Sequence, residues 1–236
     1  MLAVTLCAAA LTLGCSSGDD GDDGGSDADA TATTRVDAAV DQISESLQES
    51  FGDELEADDA ECVAVSLVDE LGESAAVEVN ETAGLLDLSD EQQDAVTTAF
   101  NECIPGAALA GSVAATVYSQ YCSTEQPADD VVDCFGAELD GRTGDLILEG
   151  ERAEADGAVP ATLLEVAETC VPTEVVAIAF ADSFEQGGLS AEAAACVANA
   201  VVEDLTVEQL IGLQGNQGAA PPEVQQVITD ATLACG

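Results

Sequence analysis

The sequence predicts an all-α chain of three tandem helical repeats, each about 65–70 residues long and stapled by one disulfide within the repeat. Three observations predict it. A first cysteine motif recurs without gaps, Cys62-Val-Ala-Val-Ser-Leu-Val-Asp-Glu-Leu71 against Cys196-Val-Ala-Asn-Ala-Val-Val-Glu-Asp-Leu205, with a degenerate copy, Cys134-Phe-Gly-Ala-Glu-Leu139, between them. A second motif closes each copy, as Val96/Ala99/Cys103, Leu163/Val166/Cys170 and Ile228/Ala231/Cys235. The closing cysteines are 67 and 65 residues apart (170 − 103 and 235 − 170), and Cys103 and Cys170 are each followed by an aliphatic residue and proline. Related motifs in one order at a fixed period mark a repeat architecture. The units are 35–105, 106–172 and 173–236.

The chain opens on residues 1–14, MLAVTLCAAALTLG, which carry no charge. The apolar run Leu2–Leu13 is too short for a membrane helix, which needs roughly 20 residues, and suits the core of a secretory signal. Thr12-Leu13-Gly14-Cys15 resembles the lipobox of bacterial lipoproteins, which implies lipidation of Cys15 and removal of 1–14 as the signal peptide. Two features depart from that pattern: no Lys or Arg precedes the run, and Thr12 stands where Leu is usual. An ordinary cleaved signal and an uncleaved membrane segment are the alternatives. Residues 15–34, rich in Ser, Gly and Asp without hydrophobic periodicity, read as the lipidated cysteine and a flexible acidic tether. An EF-hand loop begun at Asp20 fails, because Gly24 occupies its fifth position and no Glu completes the set.

Each unit then reads as helical. The closing motif sets its apolar residues and cysteine at i, i+3 and i+7, on one helix face. Ser89 with Gln92, and Thr206 with Gln209, form candidate capping boxes that satisfy each other's orphan amides. Ser190 is a candidate N-cap for the helix bearing Cys196. Pro105 and Pro172 stop the closing helices, since proline cannot continue the hydrogen-bond ladder. A further helical stretch precedes each first cysteine, at Val36–Phe51, Ala107–Tyr121 and Val175–Phe184. Aromatics are 3% of the chain, so the core must be built from Ala, Val, Leu and Ile.

With Cys7 removed and Cys15 lipidated, seven of the nine cysteines remain. Each repeat has one near the start of a helix and one at the end of another, and antiparallel folding brings those ends together. Cys62–Cys103, Cys134–Cys170 and Cys196–Cys235 are the expected pairs among fifteen possible connectivities. Cys122 has no equivalent in the other units. It is expected to be unpaired, with an intermolecular bridge or a Cys122–Cys134 bridge as alternatives.

The charge balance excludes several functions. There are 48 Asp and Glu against 3 Arg, no Lys and no His, for a net charge of −45. Such a chain repels nucleic acid and anionic surfaces. It suits divalent cations, a basic protein partner or a saline surrounding. Without His there is no Ser-His-Asp or Cys-His apparatus, and a Cys-X-X-Cys zinc pair is also missing. Without Lys there is no phosphate-loop lysine or Schiff base. Gly141-Arg142-Thr143-Gly144 is too short for a phosphate loop. Paired carboxylates such as Asp58/Asp59, Asp129/Asp130 and Glu203/Asp204 occur throughout, so none stands out as an acid/base dyad. Asp69/Glu70 and Glu203/Asp204 recur at equivalent positions, and the ordinary reading is a solvated helix face. No cofactor is expected.

The Cys-Val-Ala motif with its acidic pair, followed by a capped helix ending in cysteine, resembles helical cysteine repeats in exported proteins of actinobacteria. The resemblance covers about 35–236, with the middle unit departing most. It implies fold and location, and it carries no catalytic residues. The expectation is a non-enzymatic, lipid-anchored protein on the outer face of the cell membrane, serving as a binding or envelope-structural module. A calcium-binding acidic surface is the alternative, with a carboxylate-based hydrolase behind it.

Overall fold

Among the described residues, helical spacing and abundant alanine become eleven α-helices, with a short helical turn starting at Val207 and no strand. The structure, a computed structural model, describes residues 28–52, 55–82, 84–122, 126–156, 158–207, 209–210 and 221–235. The chain divides into two units between Ile104 and Pro105. The first holds α1 (Ala28–Phe51), α2 (Ala57–Leu71), α3 (Glu73–Glu81) and α4 (Asp90–Cys103). The second begins with α5 (Gly106–Val117), which widens into a π-helical turn at Tyr118–Cys122. It continues through α6 (Asp129–Leu139), α7 (Thr143–Asp156), α8 (Ala161–Cys170), α9 (Thr173–Gln186), α10 (Ala191–Asp204) and α11 (Pro222–Cys235).

One plan recurs three times. A central helix, α2, α6 or α10, packs against the helix before it (α1, α5 or α9) and against the closing helix (α4, α8 or α11). The central helices bury matching positions: Val63, Ala64 and Leu67 in α2; Phe135, Gly136 and Leu139 in α6; Val197, Ala198 and Val201 in α10. The cysteine motif is therefore a packing pattern. The residue after each first cysteine fills the core, and the next one is small. Gly136 shows why it is small: a Cβ there would meet the Ala107 backbone at 3.2 Å. The degenerate middle copy keeps the large-then-small order that the packing requires.

The closing helices repeat just as closely. Ala95, Val96, Ala99, Phe100 and Cys103 are buried in α4, and Thr162, Leu163, Val166, Ala167 and Cys170 in α8. Both end at their cysteine. Ile104 and Val171 follow, buried, each closing a last turn by donating its N–H to the residue four back. Pro105 and Pro172 then stand as the N-cap residues of α5 and α9. Proline thus does more than stop a helix: it starts the next one, where its missing N–H costs nothing. The second and third repeats share one core, with Phe135 fully buried among residues from Ala110 to Ala231. In the first unit Phe51 of α1 tilts against Phe100 of α4, ring centroids 5.9 Å apart.

Helix boundaries differ from expectation at two places. The tether expected over 15–34 ends earlier, because α1 already runs from Ala28. The stretch Ala28–Thr34 carries three alanines, the strongest helix former, and extends a helix already nucleated downstream. The helix expected over Ala107–Tyr121 is regular only to Val117 and π-helical beyond. Two helices were not anticipated: α3 and α7 fill the connections between central and closing helices. The anticipated caps form. Ser89 accepts from the Gln92 N–H while Gln92 Oε1 accepts from the Ser89 N–H at 3.0 Å. Thr206 and Gln209 reciprocate in the same way at 3.0 and 3.2 Å, and Ser190 accepts from the Ala193 N–H at 3.3 Å.

Candidate functional site

The six repeat cysteines form Cys62–Cys103, Cys134–Cys170 and Cys196–Cys235, with Cα separations of 5.5, 5.6 and 5.7 Å. Each first cysteine is the sixth residue of its central helix, counted from Ala57, Asp129 and Ala191. Each second cysteine is the last residue of its closing helix. Two antiparallel helices can be tied at such a place because the end of one lies beside the start of the other. The Cys134–Cys170 bond removes the alternative Cys122–Cys134 bridge. Cys122 ends the π-helical turn and belongs to none of the three bonds. Cys15 and the Thr12–Cys15 stretch lie outside the described residues.

A groove of about 900 Å³ opens beside the first bridge. Asp58, Cys62, Ser66 and Asp69 contribute to it from α2, spaced i, i+4, i+8 and i+11, on one helix face. Thr98 and Glu102 contribute from one face of α4, next to Cys103. Five carboxylates line it, from Asp58, Glu61, Asp69, Glu70 and Glu102, with no Arg among the lining residues. Its apolar surface comes from the disulfide and from Val65, which is 41% exposed. Cys62 is exposed and Cys103 buried, and both line the groove.

The recurring acidic pairs lie where a solvated face would put them. Asp69, Glu70, Glu203 and Asp204 are exposed in the last turns of α2 and α10. Acidic groups there oppose the helix macrodipole, and neither last turn holds a basic residue to offset them. Among the described residues no group of three or more Cys, Asp or Glu side chains could hold a metal ion. No described helix is long and apolar enough to cross a membrane.

The polar cluster that sequence reading missed lies in the middle repeat. Asp140, Gly141 and Arg142 link α6 to α7, which starts at Thr143. Arg142 N–H donates to the Leu139 carbonyl at 2.9 Å, and Gly141 adopts φ +71° after Asp140 at φ −60°, ψ 125°. That is a type II turn, whose third position favours glycine. Arg142 Nη2 then pairs with Glu165 Oε2 of α8 at 2.6 Å and reaches Thr162 Oγ1 at 3.5 Å. From α7, Glu149 Oε2 accepts the Thr162 N–H at 2.8 Å, satisfying an orphan amide in the first turn of α8. The one available signal was rarity: Arg142 is one of three cations in the chain.

No protein-family model, curated protein or solved structure matches this chain. Two things can be stated of it directly. It is an all-α, disulfide-stapled helical repeat, and its three bridges belong to an oxidising, extracytoplasmic setting, where disulfides persist.

Proposed function

We propose that this chain is a lipid-anchored helical repeat module on the outer face of the cell membrane, acting by binding or by structural support rather than by catalysis. The observation that carries the reading is the three disulfides at one repeated register. Bridges of this spacing are worth about 4 kcal/mol each on the chain-entropy model. A scaffold of that kind stays folded in an uncontrolled medium despite a net charge of −45. Anchoring rests on Thr12-Leu13-Gly14-Cys15, and an acidic tether of modest length would carry the repeats clear of the lipid surface. The non-catalytic part rests on composition: with no His and no Lys, the imidazole and amine groups that most often serve as bases and nucleophile activators are missing from the chain. The partners that suit such a surface are a basic protein or divalent cations.

The test is expression from the chain's own leader in a bacterial host with radiolabelled palmitate. Label should enter the protein, which should partition into the detergent phase and be cleaved by protease on cells stripped of outer layers. Cys15→Ser should abolish label and send the chain to the aqueous phase. An unlabelled, aqueous wild-type chain would end the anchoring proposal.

A further inference from the structure

We propose that the Cys196–Cys235 bridge is a redox clasp: a dithiol opens it before the other two bridges and so releases α11 from α10, while the rest of the fold stays tied. This goes beyond the lipid-anchored reading and does not depend on it.

A disulfide resists reduction according to how closely the fold holds its two thiols together once the bond is broken. That proximity acts as an effective concentration and enters the exchange equilibrium directly. Because the three repeats share one plan, their bridges can be compared position by position. Helices α4 and α8 each bury five residues, Cys103 and Cys170 among them. Each is held further by the residue after its cysteine, Ile104 at 3% exposure and Val171 at 4%.

Helix α11 is held less well at every one of these places. It buries two residues, Val224 and Ala231. Val227 and Ile228, at the positions of Ala95 and Val96, are half-buried, and Thr232 is exposed where Phe100 is buried. Gly236 occupies in the sequence the place of Ile104 and Val171 and has no side chain to bury. Leu233, two residues before the cysteine, is 77% exposed. The bridge follows the same order: Cys196 is exposed and Cys235 half-buried, whereas Cys103 and Cys170 are buried.

Broken, the first two bridges leave their thiols side by side on packed helices, ready to close again. Broken, the third leaves α11 with little to hold it. One buried apolar side chain is worth about a factor of ten or more in such an equilibrium. Five buried residues against two therefore make Cys196–Cys235 the first bridge to open.

The step balances with a dithiol as reductant. One thiolate of the dithiol attacks a bridge sulfur and forms a mixed disulfide, and the other cysteine leaves with the electron pair of the broken bond. The second thiolate of the dithiol then attacks the dithiol's own sulfur in the mixed disulfide, closing an internal disulfide and releasing the remaining cysteine. Two electrons pass to the bridge, and the two protons of the dithiol end on Cys196 and Cys235. Release of α11 takes Val224 and Ala231 out of the buried cluster they share with Val197 and Val201 of α10.

The experiment equilibrates the full oxidised chain, without air, in mixtures of reduced and oxidised dithiothreitol. Acid quench, alkylation and peptide mass spectrometry then read each bridge separately. Cys196–Cys235 should be half-open at a reduced-to-oxidised ratio about tenfold or more below that of either other bridge. At that ratio hydrogen exchange should show protection lost in Pro222–Cys235 and kept in α4 and α8. Opening of all three bridges at one ratio, or earlier opening of Cys62–Cys103 or Cys134–Cys170, would overturn the proposal. So would an open Cys196–Cys235 with α11 still protected, because the bond would then release nothing.

Discussion

Gly106 at the start of α5 stands against Gly136 of α6 so closely that a Cβ on Gly106 would lie 2.2 Å from the Gly136 carbonyl oxygen. It would also fall 2.5 Å from the Asp140 nitrogen, so backbone surrounds it on two sides. Asp140 Oδ1 accepts the Gly106 N–H at 3.4 Å, an orphan amide of the α5 N-terminus. The α5–α6 crossing thus depends on a missing side chain.

Gly106→Ala should destabilise the second unit by about 3 kcal/mol, at the upper end of the overpacking range, because backbone cannot move aside as a flexible side chain can. Gly111, exposed on the same helix, meets nothing within 4 Å. Gly111→Ala should stabilise by about 0.5–1 kcal/mol through helix propensity. Urea titration of both variants checks the pair, and equal effects would refute the crossing argument.

Removing the bridges should have unequal consequences. Cys62→Ser/Cys103→Ser should lower the stability of the first unit by about 4 kcal/mol, the chain-entropy value for a closed loop of this length. In the third repeat α11 buries Val224 and Ala231, against five residues in each of α4 and α8. Cys196→Ser/Cys235→Ser should therefore fray α11 locally. Hydrogen exchange should show lost protection in Pro222–Cys235 while α8 keeps its own.

The caps give a smaller, separable effect. Ser89→Ala and Thr206→Ala each remove a side chain that accepts from an N-terminal amide and leave Gln92 or Gln209 without its reciprocal partner. Each should cost about 1 kcal/mol. Thermal unfolding of the two single variants and the double variant should show additive losses, since Ser89 caps α4 and Thr206 caps the helical turn that follows α10.

In the middle repeat the shorter contact should matter less. Arg142–Glu165 is only 2.6 Å long, but the side chains are 35% and 68% exposed. Exposed pairs are worth about 0–1 kcal/mol, so Arg142→Gln should be nearly silent. Glu149→Ala leaves the part-buried Thr162 N–H without its carboxylate partner. A hydrogen bond to a charged group is worth about 1.5–3 kcal/mol, so Glu149→Ala should cost more than Arg142→Gln by chemical denaturation.

Much of this architecture was legible because it repeats. One Cys-Val-Ala is a coincidence; two in register, with a degenerate third and three closing cysteines, select a pairing among fifteen. Capping boxes were legible because they are local, made by residues three apart. The helices α3 and α7 were not, because they lie in connections whose lengths differ between repeats and so gain nothing from comparison. The Arg142, Glu149 and Glu165 cluster was not legible either, as its members lie 7 to 23 residues apart on three elements. The groove escaped for a related reason: its carboxylates resemble dozens of others until α2 and α4 are laid side by side.

By itself the sequence determined the helical class, the repeat period, the capped and proline-marked helix ends and the three bridges, since periodicity, proline, capping residues and cysteine spacing act within or between neighbouring turns. The tertiary structure decided what depends on distance through space. It showed that the second and third repeats share a core, that the small residue after each Cys-Val or Cys-Phe serves helix approach, and that Gly106 has no room for a methyl group. It also placed the Cys62–Cys103 bridge beside five carboxylates. Close approach and local charge density come from packing remote segments together, and no linear pattern records either one.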